Sequence, residues 1–191
     1  ILRCLVGSEM CIRDSSWGTN GRSIAAPRGK TLGGSSSING LVFNRGQSMD
    51  FDTWAQRGNQ GWGYADILPY FKRYETRLGN GSPVYRGQAG EQVITDLEWR
   101  HPLCDAFIQA ATDMGIPLNE DYNGVIQEGI SYVQRTSKGR LRHSAAKSFL
   151  NPVKSRKNLH IITHAHTTSV TIEKGRATGV TSVSYTHLTL P

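Results

Sequence analysis

Cysteine is nearly absent from this 191-residue chain, which has 3: Cys4, Cys11 and Cys104. That excludes a disulfide scaffold and a cysteine-built zinc site. No apolar run approaches the roughly 20 residues that a membrane-spanning helix needs. Aromatic residues are 8% and charged residues 19% of the chain. The hydrophobic share of 37% is low for a self-contained α/β domain but too high for disorder. There is no internal repeat, no heptad pattern and no collagen period. Glycine, by contrast, is plentiful at 21 residues.

The first residues carry Glu9, Arg13 and Asp14 and lack a long apolar stretch, so they make a poor secretory signal. Codons for Glu9-Met-Cys-Ile-Arg-Asp14, read on the opposite strand, spell Val-Ser-Tyr-Thr-His-Leu, which is Val183 to Leu188. One DNA element read in both directions accounts for both ends. The expectation is that residues 1–15 and 182–191 are translated adapter with no stable place in the fold, and that residues 16–181 are an insert from a longer gene. Cys4 and Cys11 then drop out, leaving Cys104, one turn before Ile108, as a small core residue.

The net charge is +7. It is local: between Arg135 and Lys157 there are eight Lys/Arg and no acid. Such a run could track a phosphate backbone, but Phe149, Leu150 and Pro152 sit within it at core-like spacing. A solvated face is the better default, and no nucleic-acid partner is expected.

Periodicity predicts a mixed α/β chain whose elements do not alternate as βαβ units. Helices are expected over Ser35–Phe43, Asp50–Gln56, Asp66–Thr76, Pro102–Met114 and Ser144–Leu150. Pro69 suits the third of these only in its first turn. Leu103, Phe107, Ala110, Ala111 and Met114 line one face of the fourth, and Gly115 follows as its stop. Residues 78–91 are a glycine-rich loop. Strands are expected around Ile130–Gln134, Leu159–Thr163 and Ser169–Glu173, with a turn at Lys174-Gly175 and a return strand over Ala177–Thr181.

The most informative stretch is Arg28-Gly-Lys-Thr-Leu-Gly-Gly-Ser-Ser-Ser-Ile-Asn-Gly40. Gly33 and Gly34 let a backbone approach a ligand closely. A helix opening after them would aim free N–H groups and its positive end at an anion. Arg28 and Lys30 add positive charge. The competing reading is a Gly/Ser linker, against which stand Ile38, Leu41, Val42 and Phe43 directly after it.

This stretch resembles the first signature of the glucose–methanol–choline family of flavin-dependent oxidoreductases, which continues here through Asn44-Arg-Gly46, Asp50 and Asp52 to Trp54. Gly58-Asn-Gln-Gly-Trp62, Ile67-Leu-Pro-Tyr-Phe71, Asp121-Tyr-Asn-Gly124, Gln127-Glu-Gly129, Ser144-Ala-Ala, Asn158-Leu159 and Arg176-Ala-Thr-Gly-Val180 follow in family order. The resemblance covers about Gly21 to Val180, and among members it is greatest to bacterial choline dehydrogenases and related alcohol dehydrogenases. It implies an α/β FAD-binding fold with part of an antiparallel substrate-domain sheet. It implies FAD held along Gly33, Gly34, Ser35, Asn39, Gly40, Leu41 and Val42, with Arg28 and Lys30 nearby and Thr167 at the adenine. Members that attach FAD covalently at this loop carry histidine where Ile38 stands, so non-covalent binding is implied.

The implied reaction is oxidation of a small-molecule alcohol, with hydride passing to flavin N5. The family also contains oxidases and lyases. Its Gly-x-Gly-x-x-Gly and its catalytic histidine fall outside the stretch, so no residue here takes a catalytic role. The electron acceptor is not implied, and the location expected is cytoplasmic or peripheral to a bacterial inner membrane. Part of the flavin site and most of the parallel sheet lie outside as well, so faces such as Leu103/Phe107/Ala111 are expected to lack partners.

Other candidates carry less. His164 and His166 would share a strand face, as metal ligands might, but no third ligand is apparent and surface histidines are the better reading. Trp54, Trp62 and Trp99 with Tyr70, Phe71 and Tyr74 read as core rather than as a base-stacking platform.

Overall fold

A computed structural model describes residues 8–12 and 25–184. The chain divides into two compact units, Ile1–Pro152 and Val153–Pro191.

In the first unit, β1 (Ser8–Ile12) pairs antiparallel with β2 (Ala25–Gly29). Of the head expected to have no stable place in the fold, Ser8–Ile12 is described as a strand of this two-stranded ladder. At the other end, Ser182 to Ser184 continue a strand of the second unit. Strand pairing is made by backbone groups, and an exposed edge accepts almost any sequence that can extend. Leu2 and Leu5 lie outside the described residues.

After β2 comes a short 3-10 turn, Gly34–Ser37, and then extended chain. The helix expected over Ser35–Phe43 does not form. Leu41, Phe43 and Arg45 are buried while Val42 and Asn44 are exposed, a period of two instead of 3.6. The long-range pairing of this segment overrides its local pattern.

Helix α1 (Ser48–Gln56) starts where the Asp50 carboxylate accepts the Gln47 N–H at 2.9 Å. Helix α2 (Tyr64–Tyr74) is tied to α1 by the Tyr64 N–H on Asp52 Oδ1 at 2.8 Å. Pro69 lies past the first turn, contrary to expectation. It and Ala65, whose carbonyl loses its helical partner, are both exposed, so water can satisfy the gap. The two helices meet through Phe51, whose ring lies edge-on to Trp54 and Phe71 at 5.4 and 5.7 Å. Trp54, Trp62 and Trp99 are nevertheless 45%, 52% and 69% exposed, so the expectation that they are core fails.

Strands β3 (Glu75–Leu78) and β4 (Gln92–Thr95) form a parallel pair. Strand β3 is not legible in the sequence, because Glu75 and Arg77 occupy inward positions where apolar residues are looked for, and β4 is not marked out either, since Val93 and Ile94 are its only buried apolar pair. Helix α3 (Pro102–Asp113) begins with the Leu103 N–H on His101 Nδ1 and Pro102 in its first turn, and ends before Gly115 at φ 92°. Its Leu103, Phe107 and Met114 are 74%, 70% and 83% exposed, while Ala111 is buried. Cys104 is exposed, not core.

No strand forms over Ile130–Gln134; Ile130 bridges Leu118, and Arg135 just beyond bridges Val42 and Thr95. A two-residue hairpin, β5 (Ser137–Lys138) and β6 (Leu141–Arg142), precedes a π-helical turn, Ala146–Leu150. The buried set of this unit is mostly polar. Leu41, Phe43, Val93, Ile94 and Ala111 are its apolar members, against Arg45, Glu75, Arg77, Arg86, Gln92, Asn123, Gln134 and three serines.

The second unit is the hairpin β7 (Ala165–Glu173) and β8 (Arg176–Ser184). Lys174 and Gly175 both have positive φ, 50° and 77°, the pattern of a tight two-residue turn. No strand forms over Leu159–Thr163. Val170, Ile172 and Val180 are more than half exposed. A lone two-stranded ribbon with such a surface is marginal in water.

Candidate cofactor site

Gly29 and Gly34 touch. A Cβ on Gly29 would stand 2.3 Å from the Gly34 carbonyl oxygen, so only glycine fits. Gly33 (φ 89°) and Gly34 (φ 55°) turn the chain through the left-handed region. A Cβ on Gly33 would meet Ser37 Oγ and Ala146, whereas one on Gly34 meets nothing within 4 Å. Gly40 is likewise open.

Two of the three serines tie the turn to itself, and the third ties it to the segment after the β5–β6 hairpin. Ser35 Oγ accepts the Gly29 N–H at 3.2 Å, Ser36 Oγ accepts the Ala145 N–H at 2.9 Å, and Ser37 Oγ donates to the Leu32 carbonyl at 2.8 Å. With only four residues of 3-10 turn behind the glycines, the helix-dipole argument for an anion site falls away. Close backbone approach remains. Arg28 and Lys30 are exposed, and Arg28 donates to the neighbouring Pro27 carbonyl at 3.4 Å. Ile38 and Val42 are 39% and 54% exposed and add apolar surface beside the open glycines.

Asn39 Oδ1 accepts two hydrogen bonds, from the Leu41 N–H at 3.1 Å and from Arg142 Nη1 at 2.7 Å. Leu41 itself has φ 68°, unusual for a residue with a side chain. From here the chain is bolted down. The Leu41 carbonyl accepts the Thr136 N–H at 2.9 Å, and the Phe43 N–H donates to the Gln134 carbonyl at 2.9 Å. Tyr122 and Asn123 donate to the Phe43 carbonyl, and the Arg45 N–H donates to Asn123 Oδ1 at 2.7 Å.

Below lies a buried ion network. Glu75, fully buried, pairs with both Arg45 and Arg86, and Arg86 also pairs with Asp121 and donates to Gln134 Oε1. Burial lowers the pKa of both guanidiniums, and Arg86 beside Arg45 lowers that of Arg45 further. Asp121 opposes the shift at Arg86. Burial also raises the Tyr74 and Tyr122 phenols above their ordinary value.

Thr167 lies in β7, exposed, opposite Ser182 across the hairpin. Among the described residues no three His, Cys, Asp or Glu side chains come together as a metal site. None of their helices is long and apolar enough to cross a membrane. Sequence reasoning missed Arg142, Thr136, Gln134, Asn123 and Tyr122. Two of the motifs that resemble the family, Asp121-Tyr-Asn-Gly124 and Ser144-Ala-Ala, flagged the right neighbourhoods without giving them a role.

The profile of the GMC oxidoreductase family matches residues 6–188. The chain belongs to the GMC oxidoreductase family. An oxygen-dependent choline dehydrogenase of Rhizobium rhizogenes is 47% identical over 161 residues, covering 84% of this chain and 29% of that protein. An alcohol dehydrogenase [acceptor] of Pseudomonas putida is 43% identical over 164 residues, covering 86% and 30%. Pyridoxine 4-oxidase from Mesorbium loti superposes with a TM-score of 0.80 at 27% identity, over 93% of this chain and 37% of that one. A Chaetomium thermophilum FAD-dependent oxidoreductase shares the fold, with a TM-score of 0.82 at 22% identity, over 97% and 34%. The chain therefore spans between 29% and 37% of the length of each of these four proteins.

Proposed function

We propose that this chain is the flavin-binding portion of a longer dehydrogenase that oxidises a small-molecule alcohol, choline or a related primary alcohol. FAD would lie along Gly33, Gly34, Ser35, Asn39, Gly40, Leu41 and Val42, with Arg28 and Lys30 toward its phosphates and Thr167 toward its adenine. The observation that carries this is the loop itself. Gly34 and Gly40 open onto empty space, and exposed Ile38 and Val42 flank them in a turn whose serines and Asn39 are already engaged by protein groups. A planar ligand with a pyrophosphate fits such a surface, and the GMC membership says which ligand.

When bound, FAD supplies the redox chemistry by taking up the hydride lost from the carbinol carbon. The residues of this chain bind and orient it. Gly33 and Gly34 would let the backbone come close to the pyrophosphate, the clamped Leu41–Phe43 backbone would hold the cofactor's position, and Ile38 carries no group able to attach it. The base that removes the hydroxyl proton belongs to the remainder of the protein, which works in the cytoplasm or at the inner-membrane surface. Residues 1–15 and 182–191 are in this reading adapter-encoded, which the flanking genomic sequence tests.

Purification of the full-length protein tests the proposal. A yellow protein whose flavin is released by acid precipitation, and which bleaches anaerobically with choline or a primary alcohol, is the expected result. A colourless protein that gains no colour on FAD titration would refute the cofactor. A yellow protein that no alcohol bleaches would refute the reaction alone.

A further inference from the structure

We propose that Arg142 is a positioning residue that fixes the flavin-facing turn Asn39–Val42; the inference rests on the flavin reading above. Arg142 closes the β5–β6 hairpin, more than a hundred residues from the glycine loop. One guanidinium nitrogen, Nη1, donates to Asn39 Oδ1 at 2.7 Å and to the Ser36 carbonyl at 3.2 Å. The same amide oxygen accepts the Leu41 N–H at 3.1 Å. Two donors converging on one atom decide which way the Asn39 amide faces, because the flipped amide would set NH₂ against both. The contact to a guanidinium is charge-assisted and so the stronger of the pair.

The consequence falls on Leu41. It holds φ 68°, where a side chain is disfavoured, and the Asn39 amide supplies the local bond that keeps it there. Thr136 holds the far side through the Leu41 carbonyl at 2.9 Å. Leu41 is buried, while the residues on either side face outward: Gly40 has nothing within 4 Å of its Cβ position and Val42 is 54% exposed. The turn at Leu41 therefore sets the angle between Gly40 and Val42, the two residues that present themselves to a ring lying on this surface. Arg142 holds the amide that holds the turn. Its place in a run of basic residues hides this, since Lys138, Arg140 and Lys147 around it are exposed.

The test uses the full-length holoenzyme with Arg142→Met, Arg142→Lys, Asn39→Ala and the Arg142→Met/Asn39→Ala double variant. Three readouts are the FAD dissociation constant, the visible circular dichroism of the bound flavin, and the melting of the flavin-free protein. Arg142→Met is expected to weaken FAD about tenfold, the size of one charge-assisted hydrogen bond, and to change the dichroism of the flavin that remains bound. The flavin-free protein should melt as the wild type does. Arg142→Lys keeps a charged donor and should recover most of the affinity. The double variant should be no worse than the worse single variant, because both act on one turn.

Independent, additive losses would overturn the proposal. So would wild-type affinity and dichroism in Arg142→Met, or a drop in flavin-free stability that parallels the loss of FAD, including failure to fold. A colourless wild type would overturn the flavin reading and this inference together, whereas a yellow wild type with an unaltered Arg142→Met overturns this inference alone.

Discussion

Residues 29–40 and residues 41–45 run on from one another in a single motif, yet they are held differently. In the first stretch the Ser35 and Ser37 hydroxyls tie the turn to itself, Gly29 and Gly34 touch, Ser36 and Asn39 are held by Ala145 and Arg142, and Gly34 and Gly40 look onto open space. The second stretch is gripped along its backbone and ends in buried charge. Backbone and side chains of residues 122–136 grip it, and Arg45 at its end enters a buried network with Glu75, Arg86 and Asp121. In the function proposed above, the difference separates two jobs within one signature: residues 29–40 would offer the surface that the cofactor completes, and residues 41–45 would give that surface a rigid attachment. Substitutions in the two stretches should fail in different ways.

The largest effect is expected at the anchor. Glu75→Ala leaves Arg45 and Arg86 buried without the carboxylate between them, and breaking a buried pair in this way costs about 3–5 kcal/mol. Urea unfolding of the full-length flavin-free protein measures it. A loss below about 1 kcal/mol, the range of exposed pairs, would mean that the network does not anchor the motif.

Gly29→Ala sits on the boundary between the two behaviours. Its methyl carbon would stand 2.3 Å from the Gly34 carbonyl oxygen, so the backbone must move. A loss of roughly 1–3 kcal/mol is expected from such overpacking, with flavin lost alongside. If Gly29→Ala melted like the wild type but bound no flavin, Gly29 would belong with the ligand surface instead.

A smaller effect is expected at His143, which braces β4 against the segment following the hairpin. Its Nδ1 accepts the Val93 N–H at 3.3 Å and shares a 2.9 Å contact with Ser148 Oγ. Burial lowers its pKa below the ordinary 6.5, with Lys138 and Lys147 adding to the shift. As pH falls through 6.5 the unfolded chain takes up the proton first, so the stability contributed by neutral His143 is complete above that value. It is lost on acidification toward the depressed folded value. Urea midpoints measured across this window should fall more for the wild type than for His143→Gln. Parallel curves would show that His143 is not a brace.

Much of this contrast cannot be read in the sequence. Helices α1, α2 and α3 and the β7–β8 hairpin are legible because their signals are local: apolar spacing, a proline at a helix start, and Lys174-Gly175 at a turn. The tight turn at Gly33-Gly34 is legible too, since adjacent glycines mark a backbone of positive φ. The anchored half is not. The run Ile38, Leu41, Val42 looks helical, and only contact with Gln134 and Thr136, far along the chain, draws it out into extended form. Strand β3 is hidden for a related reason, because its inward residues Glu75 and Arg77 are polar, and β4 offers only the short apolar pair Val93-Ile94. Arg142 reads as one more surface cation until the fold brings it to Asn39.

Flavin content of full-length Gly34→Val tests the central claim most directly. Two methyl groups at Cβ would project into the open space beside the turn, while φ 55° strains the backbone by about 1–2 kcal/mol. The protein should fold, melt slightly below the wild type, and purify colourless. Full flavin occupancy in folded Gly34→Val would contradict the account, because the surface that Gly34 leaves open would then not be where the cofactor lies.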